Sequence, residues 1–222
     1  MFELPPSLIA ALTGFISGLF LSVPVGPVNL SIINEGARRG FRWAIMIGLG
    51  AVVMEVIYCA VAFTGFASFF SRGYIKAAME LFSFVFMLYL GLKFMLARQI
   101  EASNKIEERI ENKLRPHSAF TTGFVRVMGN PGVLLCWIIL AANFISREWV
   151  APNGAGKLAC IIGVAIGTGL WFFGLSYAVS LGHKKFSEKT LLRMEHFSGI
   201  GLLGLAVAHG AHIVWQMAHH KM

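Results

Sequence analysis

The chain is 222 residues long, 56% hydrophobic and only 14% charged, with a formal net charge of +8 and a mean hydropathy of +0.69. Soluble domains carry about 25% charged residues, so this composition excludes an ordinary soluble enzyme or binding module and indicates one membrane domain. The basic balance fits membrane orientation and anionic headgroups better than nucleic acid.

Met1 to Pro6 holds Glu3 and no lysine or arginine, so the basic start of a cleavable signal is missing. Six spans are expected by hydropathy and length, at Leu8–Ile33, Trp43–Phe66, Ile75–Leu96, Ala119–Ile145, Leu158–Leu181 and Leu191–Met217. The first contains Leu21-Ser22-Val23-Pro24-Val25-Gly26-Pro27-Val28-Asn29. Its prolines remove backbone donors and its glycine loosens the helix where lipid offers no replacement hydrogen bonds. Such a break must be covered by protein or face a watery cavity. Transporters build substrate sites from discontinuous helices; a plain proline kink is the structural alternative. Asn29 and Asn34 flank the break, and their amides suit either freed peptide groups or a zwitterion. Structural satisfaction is expected of Asn34, whereas Asn29 is a site candidate, with Ser22 and Ser31 weaker ones.

Span two carries Glu55 near its middle. A carboxylate there costs several kcal/mol unless paired, solvated or protonated, which suits a proton carrier. The structural alternative is a neutral Glu55 bonded to a broken-helix carbonyl. Glu80, early in span three, is expected at the outer interface. The link Ala97–Ser118 is the longest and most polar, and its mixed charges suit an exposed amphipathic helix joining two halves.

Span four is interrupted at Asn130-Pro131, one turn after Arg126. Arg126 could bind a substrate carboxylate, pair with Glu55 in one transport state, or snorkel to the headgroups. Asn130 is a site candidate like Asn29. Gly163, Gly167 and Gly174 on span five form small-residue faces for tight packing, which would permit a homodimer without demanding one. Trp171, Phe172 and Phe173 are expected to pack against lipid or neighbours. His209 and His212 on span six share a face, but the chain has no aspartate and no cysteine nearby, so a packing pair is expected before a metal site. Cys59, Cys136 and Cys160 are single and far apart and read as small buried hydrophobes.

The links after spans one, three and five, together with Arg193 at the start of span six, hold twelve lysines and arginines, against five on the opposite side with Lys76 at the start of span three counted there. The positive-inside rule makes the first set cytoplasmic and both termini external, provided that span one crosses fully. Each broken span opens a group of three. Thr13-Gly14-Phe15 precedes the first break and Thr122-Gly123-Phe124 the second; Ile47-Gly48 and Ile162-Gly163 open the following helices. Three-span units must have opposite orientations, so the expected architecture is an all-α polytopic membrane protein. It would form one transmembrane transporter domain of two inverted repeats, residues 8–96 and 119–217, joined by a polar linker, 97–118. The site is expected where the broken first and fourth spans meet.

These residues resemble the LysE/RhtB family of amino-acid exporters over most of the chain, most closely over Gly14–Gly65 and Phe120–Phe144. The family's Pro-Gly-Pro then Asn or Asp is matched by Gly26-Pro27 and Asn29, its Arg-Gly by Arg39-Gly40, its Gly-rich second helix by Gly50 and its acid by Glu55. Gly123-Phe124 and Asn130-Pro131-Gly132 match the second half. Val25, Met54 and Gly132 depart from a proline, a small residue and a lysine. The resemblance implies secondary, proton-coupled export of an amino acid or related metabolite by alternating access across the bacterial cytoplasmic membrane. Pro24, Gly26, Pro27, Asn29, Arg126, Asn130 and Pro131 would form the substrate site, with Glu55 as the proton site. No nucleotide-binding loop is present, so no cofactor is expected. The alternative is a divalent-cation or heavy-metal exporter, which would need several convergent acids or thiolates. An enzyme would want paired acids, an activated nucleophile or paired thiols, none of which occurs at suitable spacing.

Overall fold

The computed structural model describes residues 5–66, 73–98, 109, 110, 113, 118–181 and 188–218. Most of the expected linker helix falls outside this set, as do the side chains of Glu80, His209 and His212. The described residues form helices and no strands.

Helix α1 covers Pro6–Ser22 and α2 covers Pro27–Arg39, bent by 70° at the intervening break. Pro24 has no N–H to extend α1, and Pro27 takes the first position of α2, where its missing donor costs nothing. Gly40 ends α2 at φ 83°, a left-handed conformation that disfavours side chains, and its N–H bonds the Gly36 carbonyl at 2.9 Å. Helix α3, Phe41–Val61, starts at once and ends in a π turn, Ala62–Phe66. Helix α4 is Gly73–Met95. Ser118 and Thr121 close a reciprocal capping box on α5, Ala119–Met128. Helix α6, Pro131–Ser146, follows at a 65° bend, again with proline at its first position. Helices α7, Gly154–Ser180, and α8, Glu188–Ala218, complete the chain.

Both expected breaks are therefore present. Among the described residues two unbroken helices, Phe41–Thr64 and Gly154–Ser180, are long and apolar enough to cross a membrane, and counting each bent pair as one span makes four. Helices α4 and α8 cover the stretches expected as the third and sixth spans; among the described residues, α4 offers only a shorter apolar helix at Phe84–Met95.

Glycines set the helix packing. A Cβ on Gly14 would collide with the Cys160 carbonyl, and one on Gly163 with the Ala11 carbonyl, so α1 lies backbone to backbone along α7. A Cβ on Gly123 would strike the Ile47 carbonyl, and one on Gly50 the Phe120 carbonyl, so α5 lies on α3 in the same way. In lipid, where apolar tails compete for side chains, such close approach is what holds helices together. Gly50 and Gly163 thus do the same work, two residues out of step with the Ile-Gly pairing read from sequence. Gly174, expected on a packing face, meets nothing within 4 Å. Helices α4 and α8 pack antiparallel: Gly91 approaches Leu203, Gly210 approaches Phe84, and the His196 Nε2 lies 2.8 Å from the Ala97 carbonyl oxygen.

Candidate functional site

A cavity of about 330 Å³ opens where the two breaks face each other. Ser22, Pro24, Gly26, Pro27 and Asn29 line it from the first break, Arg126 and Asn130 from the second, and Glu55 from α3. Pro131 is the exception among the expected site residues: it starts α6 but does not line the cavity.

The freed peptide groups at the first break are mended by Asn29. Its Nδ2 donates to the Ser22 carbonyl at 2.9 Å and the Pro24 carbonyl at 2.7 Å, and its Oδ1 accepts from the Trp171 Nε1 at 3.1 Å. The residue is 3% exposed, so the amide expected to hold a zwitterion is already committed to the backbone. Asn34, expected to do that mending, is exposed and lies away from the break. At the second break the Asn130 Oδ1 accepts from the Gly132 N–H at 3.0 Å, which caps α6. The Met128 carbonyl there accepts from the Tyr58 hydroxyl at 2.8 Å. Removing that hydroxyl with Tyr58→Phe is expected to lower unfolding stability in detergent by about 1 kcal/mol, read from denaturant titration.

Glu55 is 6% exposed and its Oε2 accepts from the indole Nε1 of the fully buried Trp137 on α6. Glu55 therefore bonds a side chain, not the broken-helix carbonyl that was the structural alternative. The Arg126 Nη1 turns to the start of α2, donating to the Pro27 carbonyl at 2.9 Å and to the Ser31 Oγ. The Ser31 hydroxyl in turn donates to the Pro27 carbonyl at 2.6 Å.

Two charged wall residues escaped the sequence reading. Lys93 of α4 and Glu195 of α8 both line the cavity, and Glu195 is 5% exposed. Each lies inside an expected span, and an acid within a span is the signal that singled out Glu55. Among the described residues, no three His, Cys, Asp or Glu side chains gather in metal-binding geometry.

Residues 19–210 match the family described as LysE type translocator. The chain belongs to that family. It is accordingly a multi-pass membrane transporter and not an enzyme. YcgF of Bacillus subtilis (strain 168), whose name provisionally calls it an amino acid efflux protein, is 28% identical over 197 residues, covering 86% of this chain and 90% of YcgF. The arginine exporter protein ArgO of Escherichia coli (strain K12) is 28% identical over 196 residues, covering 74% of this chain and 91% of ArgO. The chemotactic transduction protein ChpE of Pseudomonas aeruginosa is 21% identical over 197 residues, covering 89% and 94%. No solved structure matches.

Proposed function

We propose that this LysE-type translocator exports an amino acid or a closely related zwitterion across the bacterial cytoplasmic membrane, by alternating access around the cavity between the broken helices. The observation that carries the reading is the meeting of both breaks with Arg126 and Glu55 at one cavity. A cavity of about 330 Å³ lies at the small end of ligand pockets, roughly 300–1,000 Å³. The names of YcgF and ArgO favour an amino acid as cargo.

In this reading the substrate carboxylate takes the Arg126 guanidinium, with Asn130 beside it and the backbone of Pro24, Gly26 and Pro27 forming the floor. Asn29 and Pro131 support the site by fixing the breaks. Glu55 takes up the proton that exchanges with substrate, since a charged carboxylate in a wall of apolar helices is costly unless it is matched. One inward proton driven by 100 mV supplies about 2.3 kcal/mol. The six spans form two inverted repeats. Support comes from the reciprocal packing, in which the first helix of each half lies on the first unbroken helix of the other, α1 on α7 and α5 on α3. Divalent-cation export is disfavoured because, among the described residues, the cavity acids Glu55 and Glu195 come without a third.

The test is counterflow in proteoliposomes with a panel of labelled amino acids and divalent metals, with Glu55→Gln beside the wild type. Amino-acid exchange is expected in both. The glutamine carbonyl can still accept from Trp137, so the wall survives, while a pH gradient should no longer drive net movement. Metal flux without amino-acid flux would overturn the substrate assignment. Gradient-driven flux retained by Glu55→Gln would remove Glu55 from the coupling step.

A further inference from the structure

A second cavity, of about 350 Å³, lies where the end of α2 meets the starts of α3 and α5. Its lining is mostly polar: Ser31, Asn34, Glu35 and Arg39 from α2, Ser118 at the cap of α5 and Thr122 within it, with Trp43 and Ile47 of α3 beside them. It sits on the face that carries Arg38, Arg39 and Arg42, which the positive-inside rule makes cytoplasmic. Arg126 lines both cavities. Ser31 lines only the second and Pro27 only the first, and Arg126 bonds both. The Arg126–Ser31–Pro27 contact is therefore the wall between the two spaces.

We propose that the second cavity is a loading site for a zwitterionic amino acid on the basic, cytoplasmic face, and that the Arg126–Ser31–Pro27 contact is the barrier the substrate passes to reach the first cavity. The ligand class rests on the export reading above, and the lining fits it. An α-amino acid needs an acceptor for its ammonium and donors for its carboxylate. Glu35 supplies the acceptor; the Arg126 guanidinium supplies donors, and the Thr122 hydroxyl, which now donates to the Ser118 carbonyl at 3.0 Å, can turn to add one. Glu35 now holds Arg39 at 3.0 Å and Arg38 at 3.6 Å. Both are solvent-facing pairs, of a kind that contributes about 0–1 kcal/mol, so a substrate ammonium can displace them at little cost. The same guanidinium then serves two stations in turn. A carboxylate arriving from the second cavity competes with the Ser31 hydroxyl and the Pro27 carbonyl for Arg126, and so loosens the wall that holds it back.

The experiment uses the full chain in inside-out membrane vesicles and a charged, membrane-impermeant maleimide. In a background with the three native cysteines replaced by alanine, Asn34→Cys should label rapidly from the basic face. A saturating amino acid that the wild type exchanges should slow this at least five-fold. Equal rates with and without that amino acid overturn the loading site. With only Cys136 kept, a residue lining the first cavity, Ser31→Ala should speed labelling from the basic face at least five-fold; an unchanged rate overturns the barrier. Absence of amino-acid exchange by the wild type would instead strike the export reading, and the Cys136 comparison would still decide whether the barrier exists.

Discussion

Gly163→Leu is expected to prevent assembly of a stable protein, whereas Gly174→Leu on the same helix should leave stability within about 0.5 kcal/mol of the wild type. A Cβ at Gly163 meets the backbone of α1, at the Ala11 carbonyl and the Phe15 nitrogen, which cannot rotate away as a side chain would. Overpacking of a flexible core costs about 1–3 kcal/mol. Here α1 must lift from α7 as a body, so the loss is expected above about 3 kcal/mol, a large share of the 5–15 kcal/mol that holds a domain together. At Gly174 nothing lies within 4 Å and the helix faces outward. Size-exclusion profiles and thermal unfolding in detergent distinguish the two. Equal stability of the variants would mean that α1 and α7 do not approach through Gly163. By the same argument Gly123→Leu should be as damaging as Gly163→Leu, because its Cβ meets the Ile47 carbonyl and the Ala51 nitrogen of α3.

The same contrast shows what the sequence carries and what it hides. Pro24, Pro27 and Asn130-Pro131 announce the two bends because a missing N–H acts locally, whatever the rest of the chain does. Glu55 and Arg126 stand out because charge within an apolar run is costly wherever it points. The small-residue pattern of span five also announces close packing, but a helix places successive residues about 100° apart. Whether Gly163 or Gly174 meets a neighbour therefore depends on the rotation of α7, which is decided by its partner. For the same reason the equivalence of Gly50 with Gly163, two residues away from the aligned Ile-Gly pairs, emerges only from what each touches. Side-chain partners are hidden further still. Trp137 lies 82 residues from Glu55, and Tyr58 lies 70 from Met128. Nothing local marks Trp137 as the donor to Glu55 or Tyr58 as the mender of the second break. The mending falls to Asn29 and not to Asn34 for a related reason: both amides suit the task, and only the fold of the chain back over Ser22 and Pro24 brings one of them to the orphaned carbonyls. Glu195 and Lys93 were accessible by the rule that found Glu55, but they lie close to the ends of α8 and α4, where charge reads as interfacial.

Arg126→Ala is expected to remove the protein's preference for a free carboxylate and to lower amino-acid exchange by about 10- to 100-fold. The range follows from hydrogen bonds to a charged group, which contribute about 1.5–3 kcal/mol, at about 1.4 kcal/mol per factor of ten. Exchange alone would not separate a binding role from a structural one, because Arg126 also ties α5 to α2 through Pro27 and Ser31. The decisive comparison is between an amino acid and its carboxyl methyl ester as competitors of exchange. In the wild type the free acid should compete about 10- to 100-fold better, since the ester presents no anion to the guanidinium. In Arg126→Ala the two should compete equally, and Arg126→Lys should recover part of the discrimination, because an ammonium supplies the charge but not the planar fork. A variant that loses exchange yet keeps full discrimination would confine Arg126 to the wall between the cavities and move the carboxylate elsewhere. Lys93 is then the other cavity cation to test, since it reaches the same space from α4.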